Sequence, residues 1–149
     1  MIVLDTNVIS ELMKPHPDPH VRDWLARIGE ALVMTTAVTV AEIEFGLQRL
    51  PPGRRRDDLH ARFEVFAGAL TVLPLDDQAA REAGRLRAVR EAAGLPSQPS
   101  DMMIAGIAAV AGATVATRNI RDYSGLGVQL IDPWRLGLVG GSKSMRPHF

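Results

Sequence analysis

Apolar residues recur in two rhythms along this chain, and the alternation between them lays out its elements. Ile2, Val3 and Leu4 run without a polar break, which suits a strand buried on both faces of a parallel sheet. The run stops at Asp5, and Thr6 and Asn7, both good helix N-caps, precede a helical pattern in Val8, Ile9 and Leu12. Pro15, Pro17 and Pro19 end that helix, and Asp18 introduces a second, with Val21, Trp24, Leu25 and Ile28 at helical spacing and Gly29 closing it. A strand over Leu32 to Met34, continuing into Thr35 and Thr36, leads to a helix whose apolar positions include Val40, Ile43 and Leu47. After the Pro51-Pro52-Gly53 break come a helix from about Arg55 to Ala69, a short strand from Thr71 to Leu73, and an alanine- and arginine-rich helix capped by Asp76 or Asp77 and running to about Ala93. Ser100 restarts a helix with Met103, Ile104, Ile107 and Ala108 on one face. Ala113 to Thr117 and Val128 to Ile131 are two further strands joined by a loop or short helix, and Pro133 and Trp134 close the pattern.

Strands alternating with helices predict an α/β sandwich, a mainly parallel sheet with helices on both faces. With 149 residues, 46% of them apolar, the chain is long enough for one core and short for two. We read one domain over 1–134 and a flexible C-terminal tail over 135–149, where glycine, serine and basic residues follow no pattern. The absence of cysteine excludes disulfides and thiolate zinc sites. No apolar run approaches a membrane span and the chain opens on a strand, so a cytoplasmic protein with no membrane association is expected. Lys plus Arg equals Asp plus Glu at 17 each, so a polyanionic partner has to be met by local basic patches.

The acids carry the candidate chemistry. Asp5 ends a central strand, Glu42 lies in the first turns of the helix after the second strand, and Asp122 follows the fourth strand. Asp101 opens a helix that runs antiparallel to the strands, so all four converge on the carboxyl edge, where open parallel sheets bind ligands. Clustered carboxylates repel, and a divalent cation relieves the repulsion. Oxygen-only ligands favour Mg2+ or Mn2+ over zinc, and such ions keep waters able to attack a phosphodiester. Each acid also has an ordinary structural explanation: Thr39 to Glu42 spells a capping box, Asp101 suits a helix dipole, and Asp122 fits a loop. None of these explains the shared edge. His16 and His20 have metal-like spacing, but the prolines around them forbid the helix it needs.

L-D-T-N-V-I-S from Leu4, T-V-A-E-I-E-F-G-L from Thr39, S-D-M-M-I-A from Ser100 and A-T-R-N-I-R-D-Y from Ala116 together resemble the PIN-domain ribonucleases, and more narrowly the VapC and FitB-like toxins of bacterial toxin–antitoxin pairs. The resemblance implies a five-stranded sheet in the order 3-2-1-4-5, a metal-dependent endoribonuclease, a homodimer and a cognate antitoxin that blocks the site. It matches Asp5, Glu42, Asp101 and Asp122 to the family's acidic quartet, with Asp5 and Asp101 as direct Mg2+ (or Mn2+) ligands and Glu42 and Asp122 binding a second ion or orienting water. It also implies that Thr6, Thr117 and Asn119 are supporting polar groups. The antitoxin segment is expected in a groove around Val8 to Leu12 and Leu47 to Leu59. Gly106 and Tyr123 depart from the family's common alanine and phenylalanine.

Positive charge must flank an acidic rim that handles RNA, and Arg118 and Arg121 beside Asp122 are the better candidates, able to grip phosphate oxygens bidentately. Arg54 to Arg56 have an equal reading as a solvated helix start, and Arg85, Arg87 and Arg90 read as a solvated face. Trp24 and Trp134 read as core or partner surface. Two rival functions stay open: a non-catalytic Mg2+-dependent RNA-binding module, and a phosphatase with Asp5 as nucleophile, which Asn7 at the place of a second aspartate weakens.

Overall fold

The computed structural model describes residues 1–29 and 32–136. Five short strands, β1 (Ile2–Leu4), β2 (Val33–Thr36), β3 (Thr71–Leu73), β4 (Thr114–Ala116) and β5 (Leu130–Ile131), form one sheet in the order β3-β2-β1-β4-β5. Every pairing is parallel. The helices are α1 (Thr6–Leu12), α2 (Pro19–Ile28), α3 (Ala37–Arg49), α4 (Arg54–Ala69), α5 (Asp77–Ala92), α6 (Pro99–Ala111), α7 (Ile120–Tyr123) and α8 (Pro133–Leu136). A sheet with helices on both faces has two cores, and the pleat of β1 feeds both. Leu4 packs on one side with Val8, Ile9, Trp24, Ile43 and Phe63, while Val3 packs on the other with Leu86, Met102, Ile104 and Tyr123.

Differences from the sequence reading are small. Leu32 lies outside β2 and is exposed, so that strand starts at Val33, the first of its apolar residues to be buried. Helix α6 begins at Pro99 rather than Ser100, because a proline's missing N–H and fixed φ suit the first helical turn. Asp76, rather than Asp77, caps α5, accepting the Ala79 amide at 2.8 Å. Arg135 and Leu136 belong to α8, and the rest of the expected tail lies outside the described residues. Helices α5 and α6 approach closely at Gly106, where a Cβ would sit 2.6 Å from the Ala79 carbonyl oxygen.

Candidate active site

Strand β1 delivers Asp5 to the carboxyl edge, and Asp5 itself, rather than Thr6 or Asn7, is the N-cap of α1. Its Oδ1 accepts the Thr6 amide at 2.7 Å. The register that pairs Leu4 with Ala116 brings Thr117 alongside, and the Thr117 hydroxyl donates to Asp5 Oδ2 at 2.7 Å. Asn7 Nδ2 donates to the same oxygen at 3.1 Å, and Asn7 Oδ1 accepts the Arg118 amide at 3.2 Å. Asp5 is 3% exposed, and burial raises its pKa; the bonds from Thr117, Thr6 and Tyr123 oppose that rise and the Glu42 charge adds to it. The carboxylate is thus fixed in direction by donors from the first turn of α1 and the end of β4.

Glu42 does not form the capping box its spacing suggests. Helix α3 starts a turn earlier than that box requires, with Thr36 as N-cap accepting the Thr39 amide at 3.1 Å, so that amide already has its partner. Glu42 Oε1 instead accepts the Thr6 hydroxyl at 2.7 Å, which turns it toward Asp5. Asp101 sits in the first turn of α6, and the Tyr123 hydroxyl donates to its Oδ1 over a long 3.4 Å. Burial pushes the Asp101 carboxyl up to about 6, helped by the charges of Asp5, Asp122 and Glu42 in that order. The four acids therefore share one electrostatic field. Burial and the charges of Asp5 and Asp101 also push the Tyr123 phenol up, so it remains a proton donor at any working pH.

Asp5, Thr6, Glu42, Asp101, Arg118 and Asn119 line a cavity of about 420 Å³ together with Asn7, Ser10, Glu11, Lys14 and Trp134. Thr117 is buried behind Asp5 and receives the Asn119 amide at 3.0 Å. Asp122 and Arg121 stand on α7 outside that lining; Asp122 reaches the site through its charge on Asp101, and Arg121 is exposed. Among the described residues no three His, Cys, Asp or Glu side chains are gathered to hold a metal by themselves. The donors that face the cavity are oxygens, which suit a hard cation that keeps several waters and uses one or two carboxylates.

Arg90 departs most from expectation. Arg85 and Arg87 are exposed and paired with Glu82 and Glu91, whereas Arg90 is 3% exposed. Its Nε donates to the Pro96 carbonyl at 2.7 Å and its Nη1 to the Ser124 carbonyl at 2.7 Å. It thereby ties together the segment leading to Asp101 and the segment just after Asp122 and Tyr123. The signal was present in the sequence: Ala79, Ala83, Leu86 and Arg90 continue one helical stripe, and all four are buried. The bridging role of Asn7 and the Tyr123 bond to Asp101 had no such signal. Trp24 is core as expected, while Trp134 belongs to the same core and also edges the cavity, with the Arg118 Cζ 5.1 Å from its ring centre.

A second, larger cavity of about 670 Å³ adjoins the first, sharing Thr6, Ser10, Lys14 and Glu42 with it. Met13, Ile43, Leu47, Leu50 and Leu59 give it an apolar floor, and Arg54, Arg55 and Arg62 stand at its side. Val8 and Leu12, expected near this groove, are themselves buried in the core.

Comparison with known proteins agrees with this architecture. A PIN-domain family model matches residues 2–124. A plasmid stability protein, StbB, of Pseudomonas syringae pv. tomato is 40% identical over 140 residues, covering 90% of this chain and 99% of that protein. The VapC ribonuclease Y4jK of Sinorhizobium fredii is 42% identical over 138 residues, covering 90% and 98%. The crystal structure of FitAcB from Neisseria gonorrhoeae superposes with a TM-score of 0.79 at 34% identity, covering 90% of this chain and 99% of that one.

Proposed function

This chain belongs to the PIN-domain family, and from that membership we propose that it is the toxin of a toxin–antitoxin pair, a metal-dependent endoribonuclease silenced by a cognate antitoxin. The observation that carries the reading is the gathering of Asp5, Glu42 and Asp101 on one cavity, where burial and the neighbouring acids push the Asp101 carboxyl up to about 6. An anionic cluster of that kind in an open cavity is relieved by a cation. Asp5 and Asp101 would hold Mg2+ or Mn2+ directly, with Glu42 and Asp122 serving a second ion or orienting the attacking water. When bound, the ion supplies a Lewis acid that activates water and neutralises phosphate charge.

The chain's own groups do the rest. Thr6, Asn7 and Thr117 hold Asp5 in one orientation, so its lone pairs are aimed before any ligand arrives. Thr6 holds Glu42 beside it, and Asn119 supports Thr117 through its amide. Arg118 at the cavity and Arg121 on α7 supply positive charge for the RNA backbone. A nucleophilic Asp5 is not needed, and Asn7, spent on Asp5 and Thr117, offers no acid of the kind an aspartate phosphatase uses. The antitoxin lays an apolar segment in the groove floored by Met13, Leu47, Leu50 and Leu59, adjoining the acids, and the toxin acts as a homodimer.

Induced alone in a bacterial host, the chain is expected to arrest growth, Asp5→Asn to leave growth intact, and co-expression of the antitoxin to restore it. Normal growth in the presence of folded, partner-free parent protein would overturn the toxin reading.

A further inference from the structure

Arg118 presents an arrangement that phosphate binding alone does not use. Its guanidinium carbon lies over the Trp134 ring, 5.1 Å from the ring centre, while the residue is exposed and lines the acid cavity. Guanidinium donors lie in the plane of the group and meet phosphate or carboxylate edge-on. Its faces stack on flat π-systems. With Trp134 on one side and the residue exposed at the cavity, the guanidinium can offer a flat cationic surface there. Among the described residues Arg118 makes no ion pair. Asp18 feels its charge, but the Asp18 carboxylate is engaged by the His20 amide at 2.8 Å and the His20 ring at 2.9 Å.

Both members of the stack are anchored. The Arg118 amide donates to Asn7 Oδ1, and Asn7 Nδ2 donates to Asp5, so the backbone that carries the guanidinium is tied to the central carboxylate through one side chain. Trp134 is 9% exposed, its amide donates to Asp132 Oδ1 at 3.0 Å, and α8 packs against α2. A long side chain held this way loses less freedom when a ligand arrives.

We propose that the Arg118–Trp134 pair is a stacking shelf for one unpaired nucleobase of the RNA, next to the phosphate being cut. This rests on the ribonuclease reading and adds to it a substrate requirement. The RNA must present a single-stranded base at the cut, because only an unstacked base can lie on an arginine plane. Stacking is tolerant of base identity, so the shelf selects for an unpaired base, with the larger π-faces of purines favoured.

The test uses partner-free protein and an oligoribonucleotide spanning a mapped cleavage site, with an abasic residue substituted in turn at each position flanking the cut. At one position base removal is expected to lower kcat/KM about tenfold in the parent. The same removal is expected to cost almost nothing further in Arg118→Lys, which keeps the charge and loses the plane. Trp134→Leu, where it folds, should behave like Arg118→Lys. The same oligonucleotides binding to Asp5→Asn should quench tryptophan fluorescence, and Trp134→Leu should remove that change because Trp134 edges the cavity and Trp24 does not. Equal losses on base removal in parent and Arg118→Lys, or no loss at any position, would overturn the shelf while leaving the ribonuclease intact. Full activity of Arg118→Lys with loss in Arg118→Ala would likewise overturn it and assign Arg118 to phosphate alone. Shelf-dependent binding by a parent protein that cleaves no RNA would overturn the ribonuclease reading and leave the shelf standing.

Discussion

Asp101→Asn removes charge from a carboxyl whose ionisation burial and the other acids oppose, and it leaves an oxygen to accept the Tyr123 hydroxyl. In the folded protein this carboxyl titrates at about 6 instead of 3.8, so ionising it in place carries a cost the unfolded chain does not meet. At face value the difference is ~3 kcal/mol. Asp101 is only part-buried, and solvent screening leaves ~1 kcal/mol to be recovered by the variant. For a chain of this size that is a Tm higher by about 2–4 °C in EDTA at neutral pH. The penalty is complete above 6, shrinks as the pH falls through 6 and the native state takes up the proton, and is gone below 3.8, where both states are protonated. The advantage of Asp101→Asn must follow the same course in thermal denaturation scans at a series of pH values. Saturating Mg2+ should reverse the order, since binding stabilises the parent alone. A variant less stable than the parent in EDTA at neutral pH, or an advantage that persists unchanged into acid, would refute the cost that burial and the neighbouring acids place on ionising Asp101.

Three further outcomes are expected. Arg90→Met strands the Pro96 and Ser124 carbonyls and should lower unfolding free energy by about 2 kcal/mol in urea titration; equal stability would mean that burying the charge cancels both bonds. Gly106→Ala should cost about 1–3 kcal/mol in the same assay, because its Cβ would stand 2.6 Å from the Ala79 oxygen and 2.7 Å from the Ala83 nitrogen, both backbone. In EDTA the Asp101 carboxyl should take up its proton as the pH falls through about 6 in a carboxyl NMR titration, and Tyr123→Phe should move that step to higher pH, because the hydroxyl bond holds the Asp101 pKa down; an unmoved titration would dismiss the bond as a control on Asp101.

The element order was legible because buried parallel strands leave unbroken apolar runs and the helices between them leave wider periodic ones, as Ile2–Leu4 and Val21–Ile28 do. The sheet order 3-2-1-4-5 came from the family resemblance rather than from periodicity, and the structure has it. At the site, the placement of Asp5, Glu42 and Asp101 on one cavity followed from topology, since strand ends and the N-termini of returning helices share an edge. What topology cannot give is which of several donors a carboxylate meets. Asp5 capping its own helix, Glu42 preferring the Thr6 hydroxyl to the Thr39 amide, and Asn7 joining Asp5 to Arg118 each depend on ångström-scale competition between partners. Arg90 is a different case: its stripe position was visible, and its charge argued for solvent, but two carbonyls at hydrogen-bond distance outweighed that preference.

The most direct test is cleavage of total cellular RNA by purified, partner-free protein with Mg2+, with Mn2+ and with EDTA, beside Asp5→Asn. Discrete fragments that require metal and are absent with the variant are the predicted result, and their ends would identify the target. Folded, metal-loaded parent protein that leaves every RNA in the pool intact, or fragments that persist with Asp5→Asn, would contradict it.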